Sequence, residues 1–149
     1  MIHIAHEEGF AVMAHVNGAQ PVLDAVEAGV DSVEHGNCMD QDCLQAMAEH
    51  GTVWVPTHVT IANLLRSSRF EREVIENLRK KQADNIKKAF STGVSVAAGS
   101  DAGAYMVPHA EGTLDEYRAL QELAADPVSA AIILEQALHK IRHIFVRSL

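Results

Sequence analysis

The chain is poor in several things at once, and each shortage removes a class of protein. Among 149 residues there are two cysteines, Cys38 and Cys43, with no CxxC pair. No cysteine-rich framework is therefore present, and a reducing compartment, the cytoplasm, is expected. Aromatic residues make up 5% and bases number 12 against 20 acids, for a formal charge of -8. That balance argues against a nucleic-acid groove, which needs a basic stripe. Eight of the bases fall between Arg66 and Lys88, interleaved with Glu71, Glu73, Glu76 and Asp84, the pattern of a solvated helix face. The apolar run Ala130–Leu134 is too short to cross a bilayer, so no membrane partner is expected. Residues 1–10 carry acids and no basic stretch, unlike a signal peptide. No GxGxxG or GxxxxGK follows any strand pattern, which weakens a nucleotide-binding reading.

What is present is a repeated punctuation. A helical pattern stops at a glycine and an apolar strand begins at once, at Gly9, Gly29, Gly51 and Gly93. Four such joins in series imply αβ connections and a parallel sheet. Strands are predicted at 11–16, 31–34, 52–55 and 94–98. Residues 1–8 read as the end of a helix. Further helices are predicted from Pro21 to Ala28, from an Asp40 cap to His50, from Arg69 to Phe90, from a Thr113 cap to Ala124, and over 128–144. Phe70, Val74, Leu78, Ile86 and Phe90 are expected to form the packing face of the long helix, and Ile132, Ile133, Leu138, Ile141 and Phe145 that of the last. Cys43 reads as core. The segment 57–68 is expected to be a lid or a short extra helix. The fold class is α/β, with four consecutive βα units of a (β/α)8 barrel. An open α/β sheet with helices on both faces is the alternative. A barrel needs eight strands, so the expectation is part of a longer chain or a self-associating half-barrel.

The chemistry gathers at strand ends. His15 closes the first strand, His35 the second, and Asp101 follows the fourth in the stretch GSDAG. Two imidazoles and a carboxylate at equivalent ends of parallel strands make a metal site, with zinc the expected ion. Asp101 could also take a proton from a water there and pass it to a leaving group. His58 and His109 fall in loops at the same end and are candidate substrate contacts, as is Tyr105. No GxSxG is present, and Cys38 has no orienting partner.

The stretches VMAHVNGAQPVLDAVEAGVDSVEHG, GTVWVPT, KKAFSTGVSVAAGSDAG and VPHAEG, in this order, resemble the C-terminal half of the amidohydrolase superfamily of metal-dependent hydrolases. The imidazolonepropionase-like and prolidase-like groups are the nearest in pattern, over about residues 1–125. The resemblance implies a (β/α)8 barrel, with residues 1–149 running from the helix after strand four to the helices after strand eight. It implies that His15 and His35 ligate a divalent metal at the ends of strands five and six. It implies that Asp101, after strand eight, ligates and shuttles a proton, and that His109 contacts substrate. The implied reaction is hydrolysis of a C–N amide bond in a dipeptide, an N-acyl amino acid or a cyclic amide. The HxH pair of strand one and the bridging lysine of strand four, both usual in that superfamily, are not in this sequence. A non-catalytic self-associating half-barrel and an open small-molecule binding domain are the rival readings.

Overall fold

In the computed structural model, residues 1–146 are described; the end of the expected domain, 147–149, lies outside the described residues. The helix-to-strand joins form as the glycines dictate. Helix α1 (Ile2–Glu7) leads to β1 (Met13–Val16), α2 (Ala19–Glu27) to β2 (Ser32–His35), and α3 (Gln41–His50) to β3 (Val53–Val55). Then come α4 (His58–Leu64), α5 (Arg72–Thr92), β4 (Ser95–Val96), α6 (Glu111–Leu123) and α7 (Pro127–Phe145). Gly51 and Gly93 end α3 and α5 in the left-handed conformation, at φ 69° and 82°, where a Cβ would be strained.

The four strands are all parallel and stand in sequence order, β1-β2-β3-β4. Sequential order is what a curling barrel requires; an open doubly wound sheet reverses its order at a switch point. β4 is shorter than predicted, but the Ala97 N–H still donates to Trp54 O at 2.9 Å, so its ladder continues past Val96.

Register sorts the side chains. Ala14, Val33, Trp54 and Val96 align across the sheet and face one hydrophobic cluster. That cluster takes Val22 and Val26 from α2, Cys43, Leu44 and Met47 from α3, Ile86 and Ala89 from α5, Leu120 from α6 and Leu134 from α7. Helices α2, α3, α5 and α6 thus share one face of the sheet, and the doubly wound alternative, with its helices divided between the faces, does not hold. Cys43 is buried and its thiol donates to Ala19 O at 3.2 Å. On the opposite face Val53, Val55 and Ala97 form a second, smaller cluster with Ala137 of α7. Because α7 contributes to both clusters, it straddles the sheet at β4. Lys140 Nζ fastens it there, donating to Gly51 O and Ser95 Oγ.

Three local expectations are corrected. Thr113 does not cap α6, which starts at Glu111; the Thr113 hydroxyl lies inside the first turn, 3.1 Å from Ser100 Oγ. On α5, Phe70 precedes the helix and Val74 is exposed, while Ile75 and Gln82 are buried in their stead. The polar Gln82 escapes an apolar-periodicity argument, because its burial depends on hydrogen bonds. On α7, Ile132 and Leu138 are exposed, and Ala130, Leu134 and Ala137 make the contacts. Small residues let α7 approach the sheet closely. Asp40 caps α3 as expected, accepting from the Cys43 N–H at 3.2 Å.

Candidate active site at the strand ends

A recess of about 80 Å³ opens at the C-terminal ends of the strands, lined by His15, Glu34, His35, Val55, Thr57, Gly99 and Asp101. The three residues singled out as metal-site candidates therefore share one wall. Parallel strands in register do this by themselves: His15, Glu34 and Val55 align across β1, β2 and β3 and point to the same face. His35 follows Glu34 directly and by simple alternation would point away. Its backbone enters the left-handed region at φ 69° instead, which turns the ring back into the recess. Thr57 and Asp101, at φ 50° and 54°, do the same. Such conformations are costly for residues with a Cβ, and they gather at working sites.

The two imidazoles touch. His15 Nδ1 lies 3.0 Å from His35 Nε2, with ring centroids 5.1 Å apart. Nδ1 of His35 is 2.9 Å from Thr57 Oγ1, and Trp54 Nε1–H donates to the His35 carbonyl at 2.9 Å. Ring and backbone of His35 are thus both held. The space beneath is tight as well. A Cβ at Gly36 would sit 2.9 Å from Trp54 Nε1, and one at Gly99 would sit 2.6 Å from Val55 Cγ1. Glu34 accepts from the Ser32 hydroxyl at 2.7 Å, which orients a carboxylate on the recess wall.

The other expected contacts separate. His109 is exposed and does not line the recess; its ring packs 3.3 Å from where a Cβ at Gly103 would be, two residues beyond Asp101. Tyr105 is also exposed and outside the recess lining, and it ties two loops together: its hydroxyl is 3.2 Å from Ser67 Oγ and the Arg69 guanidinium stands 5.6 Å over its ring. Its neighbour Met106 accepts from Asn63 Nδ2 at 3.0 Å. The segment 57–68 does hold a short helix, α4. His58 lies at its start but is not in the recess. It is 4% exposed, and its Nδ1 pairs with Gln82 Oε1 at 2.7 Å. Burial lowers its pKa below the ordinary histidine value.

Behind this loop lies a buried carboxylate that sequence reasoning missed. Glu116 of α6 is fully buried and accepts the His58 N–H on Oε1 and the Val59 N–H on Oε2, both at 2.8 Å. Desolvation pushes its pKa up to about 7, against the lowering effect of those two donors. Glu116 lies in no motif, and Thr57 and Glu34, though inside the stretches GTVWVPT and VDSVEHG, had no role assigned to them. Only the alternation of Ser32 and Glu34 along β2 could have flagged one of them.

Two ring nitrogens 3.0 Å apart suit a shared ion: a tetrahedral zinc with bonds of about 2.0–2.1 Å separates its nitrogen ligands by roughly 3.3 Å. Among the described residues, no group of three or more His, Cys, Asp or Glu is gathered closely enough to hold a metal. The pair fits as part of a site, and this stretch of chain does not complete one. A larger, mostly apolar cavity of about 520 Å³ between β4, α6 and α7, reached by Ala97, Tyr117 and Leu134, shares no residue with the recess.

Parallel strands in sequence order, helices packed over one shared cluster and polar groups at the carboxyl ends define part of a (β/α) barrel. The chain matches the amidohydrolase family over residues 1–138 and belongs to it. It is 32% identical over 128 residues to an uncharacterized protein of Mycobacterium tuberculosis, covering 82% of this chain and 34% of that one. It is 31% identical over 107 residues to an ochratoxinase of Aspergillus niger, covering 68% of this chain and 22% of the relative. Among solved structures, a Xaa-Pro dipeptidase with methionine bound in its active site superposes with a TM-score of 0.76 at 30% identity, over 93% of this chain and 36% of the other. The A. niger ochratoxinase structure gives 0.77 at 25% identity, over 93% and 32%. The chain thus spans about a third or less of the length of these relatives. Among its described residues, no helix is long and apolar enough to cross a membrane.

Proposed function

We propose that this chain supplies half of a hydrolytic site that cleaves a C–N amide bond. In it His15 and His35 hold a divalent metal, zinc foremost, and Asp101 handles the proton of the attacking water. A bound ion supplies Lewis-acid polarisation of the scissile carbonyl and makes water more acidic. His15 and His35 bind through ring nitrogens that already converge. Thr57 orients the His35 ring. The Asp101 carboxylate, exposed on the same wall, takes a proton from water and returns it to the amine that leaves. His109, packed beside Gly103 two residues beyond Asp101, is the residue this reading assigns to the polar end of a substrate, and Tyr105 ties down the loop between them.

The recess of 80 Å³ accommodates the reacting group alone, since sites for whole small molecules run to about 300 Å³ or more. The remaining walls and metal ligands then come from outside these residues. A dipeptide fits best within the amide class, because a dipeptidase stands among the structural relatives. The free, exposed Cys38 suits a reducing cytoplasm.

One observation carries this reading: the 3.0 Å approach of His15 Nδ1 and His35 Nε2 on a wall shared with Asp101. It is tested by equilibrium zinc titration of the chain, followed through the imidazole signals of His15 and His35. The two rings are expected to respond together and weakly, as two ligands of an incomplete site, and His15→Ala and His35→Ala each to abolish the response of the remaining ring. No response in the wild-type chain, or an undiminished one in both variants, would remove the ligand assignment.

A specific feature also favours a second reading, self-association as a half-barrel. The outer edge of β1 has no partner strand among the described residues, and Met13 on β1 is 51% exposed. Unpaired edges are templates for pairing with another chain.

A further inference from the structure

The cap of α4 is made by the wrong residue, and that substitution has a consequence at the recess. Thr57 occupies the N-cap position. Threonine there ordinarily has extended backbone and turns its hydroxyl onto an N–H two or three residues ahead. Here Thr57 is left-handed, at φ 50° and ψ 43°, and makes no side-chain cap bond. Its hydroxyl instead faces β2, 2.9 Å from His35 Nδ1. The first N–H groups of α4 would then be orphaned inside the protein, since His58 and Val59 are both buried. Glu116 takes both of them, one on each carboxylate oxygen. A buried carboxylate is a costly cap, and a hydroxyl at the N-cap would serve with far less desolvation. The difference between the two arrangements is where the Thr57 hydroxyl ends up.

We propose that Glu116 is a positioning residue for His35: by capping α4 from α6 it leaves the Thr57 hydroxyl to hold the His35 ring. The rest of the turn is secured from other directions. Thr60 donates to Thr57 O through its N–H and its hydroxyl, and Gln82 Nε2 donates to Pro56 O at 2.7 Å. What Glu116 governs is the placement of Thr57 itself. When Nδ1–H of His35 donates to Thr57 Oγ1, the lone pair of Nε2 faces His15 and the recess. A metal-binding imidazole is oriented in this way by the partner of its other nitrogen. The inference rests on the reading that His35 works at the recess.

The test uses the whole chain, 15N-labelled and metal-free, at pH 8, with the His35 tautomer read from long-range proton–nitrogen correlation spectra. Wild type is expected to show the Nδ1–H form. Thr57→Val should move the tautomer ratio roughly fivefold or more toward Nε2–H, the size of one hydrogen bond. Glu116→Ala should do the same although Glu116 touches no imidazole ring. Glu116→Gln, which keeps one acceptor oxygen and the side-chain shape, should shift the ratio by less. It is the variant to read if the alanine chain does not fold. A wild-type ratio in the glutamine and alanine variants, alongside a changed ratio in Thr57→Val, would overturn the role of Glu116. An Nε2–H form in wild type would overturn it as well. Zinc titration of the wild-type chain separates this from the parent reading. Tautomer shifts as stated with no zinc response at His15 or His35 would leave the positioning role standing and sink the metal site.

Discussion

Two buried side chains, Glu116 and His58, link ionisation to folding, and Glu116 has the larger effect to test. Its pKa rises from an ordinary 4.5 to about 7 in the folded chain because burial penalises the carboxylate. A raised folded value means the folded state binds the proton more tightly. The stability this group adds is therefore complete below pH 4.5 and is lost as pH climbs through 7. A rise of that size corresponds to roughly 3 kcal/mol. His58 acts in the opposite sense, since its pKa is lowered by burial and it disfavours folding as pH falls through the histidine range. Comparison with Glu116→Gln isolates the carboxylate, because His58 is common to both chains. Urea unfolding at pH 4.5 and 8 is expected to show the glutamine chain gaining stability relative to wild type as pH rises. A constant difference between the chains would contradict the assigned ionisation. At this scale the placement of His15, His35 and Asp101 at one end of the sheet was legible, because histidine and aspartate at strand ends are conspicuous. Thr57 and Glu34 were not, since each looks ordinary until φ and register are known.

At the scale of elements, the fit of β3 against the β4 loop limits what the recess can tolerate. Gly99 and Val55 both line it, and a Cβ on Gly99 would come within 2.6 Å of Val55 Cγ1. Gly99→Ala should force Val55 and its strand aside at a cost of about 1–3 kcal/mol, seen as a lower thermal midpoint. An unchanged midpoint would show that β3 yields freely. The helices themselves were largely legible, because the glycine joins and the Asp40 cap are local signals. Their packing faces were less so. On α5 the buried side includes Gln82, whose amide satisfies Pro56 O, Asn37 Oδ1 and His58 Nδ1, and hydropathy alone assigns glutamine to solvent. On α7 the close approach of Ala137 to Val53, Val55 and Ala97 depends on small residues that carry little hydropathic weight.

For the molecule as a whole, the two ends of the sheet are treated differently. α7 straddles β4, held by Lys140 to Gly51 and Ser95, whereas β1 has no partner strand beyond it among the described residues. Met13 stands exposed on that strand, two residues before His15. Light scattering over a concentration series is expected to show association of the chain, and Met13→Lys to reduce it, because edge lysines oppose pairing. A monomer at every concentration would exclude self-association through β1. The net charge of -8 opposes nonspecific clumping, so association seen under these conditions would report a specific surface.

By itself the sequence determined the alternation of helix and strand, the parallel sense of the sheet and the strand-end positions of His15, His35 and Asp101. All of these follow from local backbone preference and from the period of the side chains, which act over a few residues. Only the tertiary structure decided that His35 turns back beside Glu34, that His58 is enclosed while His109 stays exposed, and that a carboxylate 58 residues away caps α4. Those outcomes depend on the sign of a backbone angle and on desolvation by distant helices, quantities set once the elements have packed.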